Sequence, residues 1–325
     1  MTEIKFKLGK KPYVFHKETL KFDNYVKPEL AAPPLIYGHQ NLISTDGWGM
    51  LGNDTVGDCV IADLGHRHML WTAEGSTMTP FSAANSIADY SAITGYNPDD
   101  PNSDQGTEFI DALKYNQKTG MLDAAGVRHV IGPYVSIDQT NKTELQTACS
   151  LFSNVDLGIN FPDSAMDQFN AGKPWTVVKG ASIEGGHGIP IVAYDQTYVY
   201  VITWGQLQAM DYNFLKTYAD EAWLPFNLEF FKNGLSPEGF DDTTLATDYT
   251  DLTGQVIPTP SPSPSPGPSP NPSPGPSPDP SACCKAVAKA QKDVEVLLPL
   301  LEKSSGRYIK RAYTSALNIQ KDLNS

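Results

Sequence analysis

Apolar residues recur every three to four positions along four stretches in the first half of the chain. The spacing predicts helices over Cys59–Glu74, 82–90, 107–118 and Lys142–Phe152. Beyond residue 154 the texture changes. Segments 155–159, 187–194 and 198–204 are dense in Val, Ile and Tyr, the β-branched and aromatic residues that suit a pleated surface. Helices first and strands second predict an α+β body with a helical half and a β-sheet half. No internal repeat is evident.

The pattern breaks at Pro258. Twelve of the chain's 26 prolines fall between Pro258 and Pro280, alternating with small polar residues. Proline fixes φ and removes every second amide donor, so this stretch reads as an extended linker of about 70 Å at roughly 3.1 Å per residue. After it, 285–301 and 307–323 again carry apolar residues at helical spacing, broken by Ser304-Ser305-Gly306. They read as a C-terminal helical hairpin, too small to be stable alone and so expected to dock on an assembly partner or to self-associate. The predicted organisation is an α+β domain with an N-terminal arm over 1–255, a Pro/Ser-rich linker over 256–281 and the hairpin over 282–325.

Charge separates these parts. The chain carries a formal net charge of -13, and the acidic excess sits in the body before the linker. Such a surface repels phosphate backbones, which argues against nucleic acid as a partner. No apolar run reaches the roughly 18 residues of a membrane helix, and Met1 to Lys7 lacks the apolar stretch of a signal peptide. A cytoplasmic or virion-associated location is expected. Four cysteines, two of them the adjacent Cys283 and Cys284, make no disulfide scaffold.

Two short segments carry candidate chemistry. In Gly52-Asn53-Asp54-Thr55-Val56-Gly57-Asp58-Cys59 a cysteine stands at a loop-to-helix junction. There the helix dipole and unpaired amides favour a thiolate and can hold an oxyanion. In Gly185-Gly186-His187-Gly188-Ile189 a histidine opens an apolar strand and supplies the base that a cysteine nucleophile needs.

The order and context of these segments resemble the papain-like cysteine peptidase superfamily over residues 52–205. Asn53 stands six residues before Cys59, where the family has its oxyanion glutamine, and Gly57 matches the glycine two before the nucleophile. Pro80-Phe81-Ser82 and the helix after it, the glycine-then-helix segment 104–120, and the helix-to-strand passage 145–160 follow in family order. Gly186-His187 with Val192-Ala193-Tyr194-Asp195 is similar to the family's histidine strand, and Val201-Ile202-Thr203-Trp204-Gly205 to its Asn-Ser-Trp-Gly. The resemblance implies a papain-like two-part fold without cofactor, acting on a peptide or protein. It implies Cys59, His187 and Asn53 as catalytic residues, and substrate binding at Gly57, Asp58, Gly106, Gly186 and Trp204.

Counting back from Trp204, the family's orienting asparagine falls on Ile202, which cannot hydrogen-bond an imidazole; Thr203 takes that part only if the register differs. Two functions follow. One is a cysteine peptidase or amidase-like hydrolase using a Cys-His pair. The other is a weak or inactive papain-like module serving as a structural or binding component of a larger assembly, a phage virion or cell-envelope complex, tethered by its linker and hairpin. Competing sites are thin. Asp100, Asn102 and Asp104 alternate like calcium ligands, but Gly106 comes one place late. His66 and His68, two apart on a helix, point to different faces, and no HExxH, CxxC or serine-hydrolase elbow occurs.

Overall fold

The computed structural model describes residues 6–17, 19–75, 77–228 and 240–256; the proposed linker and hairpin lie outside them. The described residues form seven α-helices: α1 (Cys59–Glu74), α2 (Ala83–Thr94), α3 (Phe109–Lys118), α4 (Lys142–Phe152), α5 (Asp163–Asn170), α6 (Tyr212–Tyr218) and α7 (Asp242–Thr253). The strands are β1 (Tyr37–Gly38), β2 (Met121–Leu122), β3 (Arg128–His129), β4 (Tyr134–Ser136), β5 (Val155–Pro162), β6 (Ile183–Tyr194), β7 (Tyr198–Thr203), β8 (Gln206–Asp211) and β9 (Ala219–Pro225). The seven-stranded antiparallel sheet runs β4-β9-β5-β6-β7-β8, with β1 added beside β6, and β2 and β3 form a separate ribbon.

The α+β reading holds, with helices leading and the sheet following. α1 and α4 have the predicted limits, while β6 starts four residues before His187 and β5 runs three past 159. Local side-chain caps explain several starts. Ser82 accepts from the Asn85 amide before α2, and Asn141 from the Glu144 amide before α4.

Strand alternation divides the interior into two cores. Leu157, Ile159, Ile189, Ile191 and Val201 point to one side, where α4, α5 and α6 add Phe152, Phe169 and Phe214. On the other side Val192, Ile202 and Trp223 face α1, α2 and α3. α1 is buried from Cys59 to Trp71, and this stretch includes the polar side chains of Asp63, His66, Arg67 and His68. Arg67 is the polar bolt: it is paired with Asp156 on β5 and donates to Asn116 of α3 at 2.6 Å. This fixes the middle of α1 against β5 and α3.

Candidate active site

Cys59 opens α1, and its Sγ accepts a hydrogen bond from the amide of Gly188 on β6 at 3.3 Å. Cys59 thus lies against the residue that follows His187 on β6, where the helical half abuts the sheet. The His187 ring sits in an aromatic box, stacked on Trp204 at 4.7 Å and 19° and met edge-on by Phe161 at 5.5 Å. Its Nε2 is bonded to Thr203 Oγ1 at 2.8 Å, and its buried Nδ1 has no partner among the described residues.

Thr203, not Ile202, therefore orients the imidazole, which corrects the counted register. β7 pairs with β8 up to Thr203↔Gln206, leaving Trp204-Gly205 as a two-residue hairpin turn with φ of +46° and +70°. Neighbouring strand residues face opposite ways. Thr203 shares the face of His187, whereas Ile202 points into the core against α1 at 1 % exposure. Sequence alone offered Thr203 only as the neighbour of a mismatch.

Burial works against the thiolate expected at this helix terminus. Burial pushes the Cys59 thiol up to about 12, and the amides of Gly188 and Gly9 pull it back only in part. Burial likewise holds His187 down at about 3. A helix terminus contributes about 1 kcal/mol toward the anion, too little against complete desolvation. Burial thus favours the neutral form of both groups. Cys149, in the opposite core, is raised by burial as well.

The cause of this burial was not legible in the sequence. Residues 6–11 lie along the cleft as an extended strand. The Gly9 and Lys10 amides donate to the Gly186 carbonyl at 3.2 and 3.0 Å, the Lys11 amide donates to the Thr107 carbonyl at 2.9 Å, and the Thr107 amide donates to the Gly9 carbonyl at 2.8 Å. Phe6 stacks on Trp204 at 5.1 Å, and Trp204 Nε1 donates to the Lys7 carbonyl at 3.4 Å. The three glycines of the expected substrate-binding set border this strand. A methyl group on Gly106 or Gly186 would lie 2.0 or 2.2 Å from the Gly9 or Lys10 carbonyl oxygen, and one on Gly9 would lie 1.7 Å from that of Gly57.

Asn53 and Asp58 are placed differently. Asn53 is buried, and its Nδ2 donates to the Val56 carbonyl at 3.2 Å, closing the loop before α1. Asp58 is wholly buried beside Gly52, and desolvation raises its carboxyl well above the usual range. Asp104 is no calcium ligand in this arrangement. Its carboxylate accepts the Gly57 amide at 3.0 Å and the Tyr90 hydroxyl at 2.7 Å, bracing the loop before Cys59. His66 Nε2 is bonded to the carbonyls of Trp48 and Gly49, and His68 to Asn116. Among the described residues no group of three or more His, Cys, Asp or Glu side chains is placed to hold a metal ion. None of their helices is long and apolar enough to cross a membrane.

No protein-family model and no curated sequence matches this chain. Solved structures do. Xylellain, a cysteine protease from Xylella fastidiosa, overlays with a TM-score of 0.54 at 16 % identity, over 70 % of this chain and 98 % of that one. Procathepsin B from Trypanosoma congolense gives 0.48 at 10 % identity over 67 % and 86 % of the two chains. Digestive procathepsin L 3 of Tenebrio molitor gives 0.47 at 13 % over 64 % and 76 %, and neither of these looser overlays adds weight. With α1 set against an antiparallel sheet as described and xylellain spanned almost end to end, the chain is built on the papain-like cysteine-protease fold.

Proposed function

We propose that the chain is a cysteine peptidase or amidase-like hydrolase working through Cys59 and His187, held in a closed resting form by its own residues 6–11. One observation carries this reading: the groove over Cys59 binds an extended peptide by backbone hydrogen bonds to Gly186 and Thr107. A groove edge that pairs with one strand of chain pairs with others, since main-chain bonds are indifferent to side-chain identity.

The chemistry follows from the atoms around the thiol. Once the strand leaves, water reaches Cys59 and His187, and both shifts caused by burial relax toward ordinary values. His187 Nδ1 takes the thiol proton while its Nε2–H donates to Thr203 Oγ1, which fixes the tautomer. The thiolate sulfur attacks the carbonyl carbon, and the proton passes to the departing amine. Water, deprotonated by the same ring, then cleaves the thioester and restores the thiol. The amides of Cys59 and Val60 open α1, ahead of the Ile61 and Ala62 amides that donate to the Asp58 carbonyl, and face the developing oxyanion. Asn53 joins them when its amide leaves the Val56 carbonyl.

The test is a peptide bearing a thiol-directed electrophile, applied to the full chain and mapped by mass spectrometry. The expected result is an adduct confined to Cys59 and reduced by His187→Ala. Equal labelling of Cys59 and Cys149, indifferent to His187, would remove the catalytic reading.

A further inference from the structure

The closed strand carries one buried charge. Lys10 is 4 % exposed, and its ammonium group uses all three donors: Glu221 Oε1 at 2.8 Å, Asp220 Oδ2 at 3.0 Å and the Lys11 carbonyl at 2.9 Å. A lysine is almost never buried unless such partners are provided. These partners are built into the sheet. Glu221 is itself buried, and its second oxygen accepts from Trp223 Nε1 at 2.6 Å, so the carboxylate is fixed before any ligand arrives.

The pocket that holds this side chain begins beside the nucleophile. On the sheet face turned toward α1, register places Gly188 of β6 opposite Gly158 of β5, and Gly158 opposite Glu221 of β9. Gly188 is the residue whose amide touches Cys59 Sγ. Val60 and Phe109 fill the space in front of Gly188, so the missing side chain of Gly158 alone leaves a slot one side chain wide, closed at its far end by a carboxylate. The Lys10 stem lies in it: a methyl group on Gly158 would meet Lys10 Cε at 2.8 Å and Cδ at 2.9 Å.

The geometry points to Gly158, Glu221 and Asp220 as a specificity pocket that selects peptides presenting a lysine or arginine side chain next to the cleaved site. This rests on the peptidase reading above and names its substrate class. An uncharged side chain in the slot leaves Glu221 desolvated and without its cation. A site built to pair a charge rejects the ligand that lacks it far more strongly than an apolar pocket rejects a missing methylene.

The experiment uses the full chain carrying Gly9→Val, which displaces the resident strand, with folding checked by circular dichroism. Heptapeptides Phe-Lys-Leu-Gly-Xaa-Lys-Pro, with Xaa as lysine, arginine, norleucine or glutamate, are added to protect Cys59 from iodoacetamide. Norleucine keeps the methylene stem and lacks only the ammonium. The lysine and arginine peptides are expected to protect at concentrations at least about tenfold lower than norleucine, a preference that Glu221→Gln abolishes. Equal protection by norleucine, or no protection by any peptide while Cys59 is alkylated, overturns the pocket. A library of internally quenched peptides separates the two claims. Cleavage without preference for a basic residue overturns the pocket and leaves the peptidase, whereas basic-selective protection without cleavage leaves the pocket and overturns the peptidase.

Discussion

The closed strand makes a quantitative prediction at Gly9. This glycine does not hold a positive φ, so its backbone accepts other residues, but a Cβ there would lie 1.7 Å from the Gly57 carbonyl oxygen and 2.3 Å from its carbon. Both are backbone atoms braced through the Asp104 bond to the Gly57 amide, and they cannot swing aside. Reaching ordinary contact requires a displacement of about 1.5 Å, beyond the reach of the 2.8 Å bond from Thr107 and the 3.2 Å bond to Gly186. Two lost amide bonds cost about 2 kcal/mol, which enlarges the population of the open form roughly 30-fold. Cys59 is 1 % exposed and reacts only from that form, so Gly9→Val should raise its alkylation by iodoacetamide by about the same factor. The assay follows both buried cysteines by mass spectrometry, with Cys149 in the opposite core as internal reference. An unchanged Cys59 rate in a folded variant, or equal acceleration of Cys149, would refute the strand as the cover of the site.

Thr203→Val leaves the His187 ring nitrogen without an acceptor in a buried box, and turnover of any peptide substrate should fall roughly 10- to 100-fold with little change in melting temperature. Ile202→Asn, by contrast, buries an unpaired amide against α1 and should cost about 2–4 kcal/mol in denaturant titration without raising turnover. Asp104→Ala frees the Gly57 amide and the Tyr90 hydroxyl, and a loss of about 2 kcal/mol should appear in thermal unfolding. For His187, held at about 3 in the fold against about 6.5 in the unfolded chain, the unfolded state binds the proton first. Its contribution is present above pH 6.5 and is lost as pH falls toward 3, at roughly 1.4 kcal/mol per pH unit. His187→Gln should flatten the stability curve between pH 6 and 4, and parallel curves for the two proteins would contradict the buried neutral imidazole.

Much of the frame was readable before any coordinates. α1 and α4 match their predicted limits because each combines a sustained apolar periodicity with a clear breaker or cap, as at Asn141. The core strands β5, β6 and β7 were visible as β-branched runs. α5, α6, β8 and β9 were not anticipated: the two helices are too short to carry much periodicity, and Gln206, Gln208, Asp220 and Glu221 break the β-branched texture of the two strands. β9 matters most, because it brings Glu221 and Trp223 to the site from more than 30 residues beyond His187.

By itself the sequence determined which residue types meet the demands of cysteine chemistry, since a thiol before a helix and a histidine opening a strand are local facts of composition and spacing. Only the tertiary structure decided how they behave. Whether Ile202 or Thr203 faces the imidazole depends on strand parity set by the Trp204-Gly205 turn. Whether Cys59 is ionised depends on how completely residues 6–11 exclude water from it. What Lys10 does depends on a carboxylate 211 positions away. Desolvation and pairing are properties of the space around an atom, and that space is filled by segments whose arrival no local pattern announces.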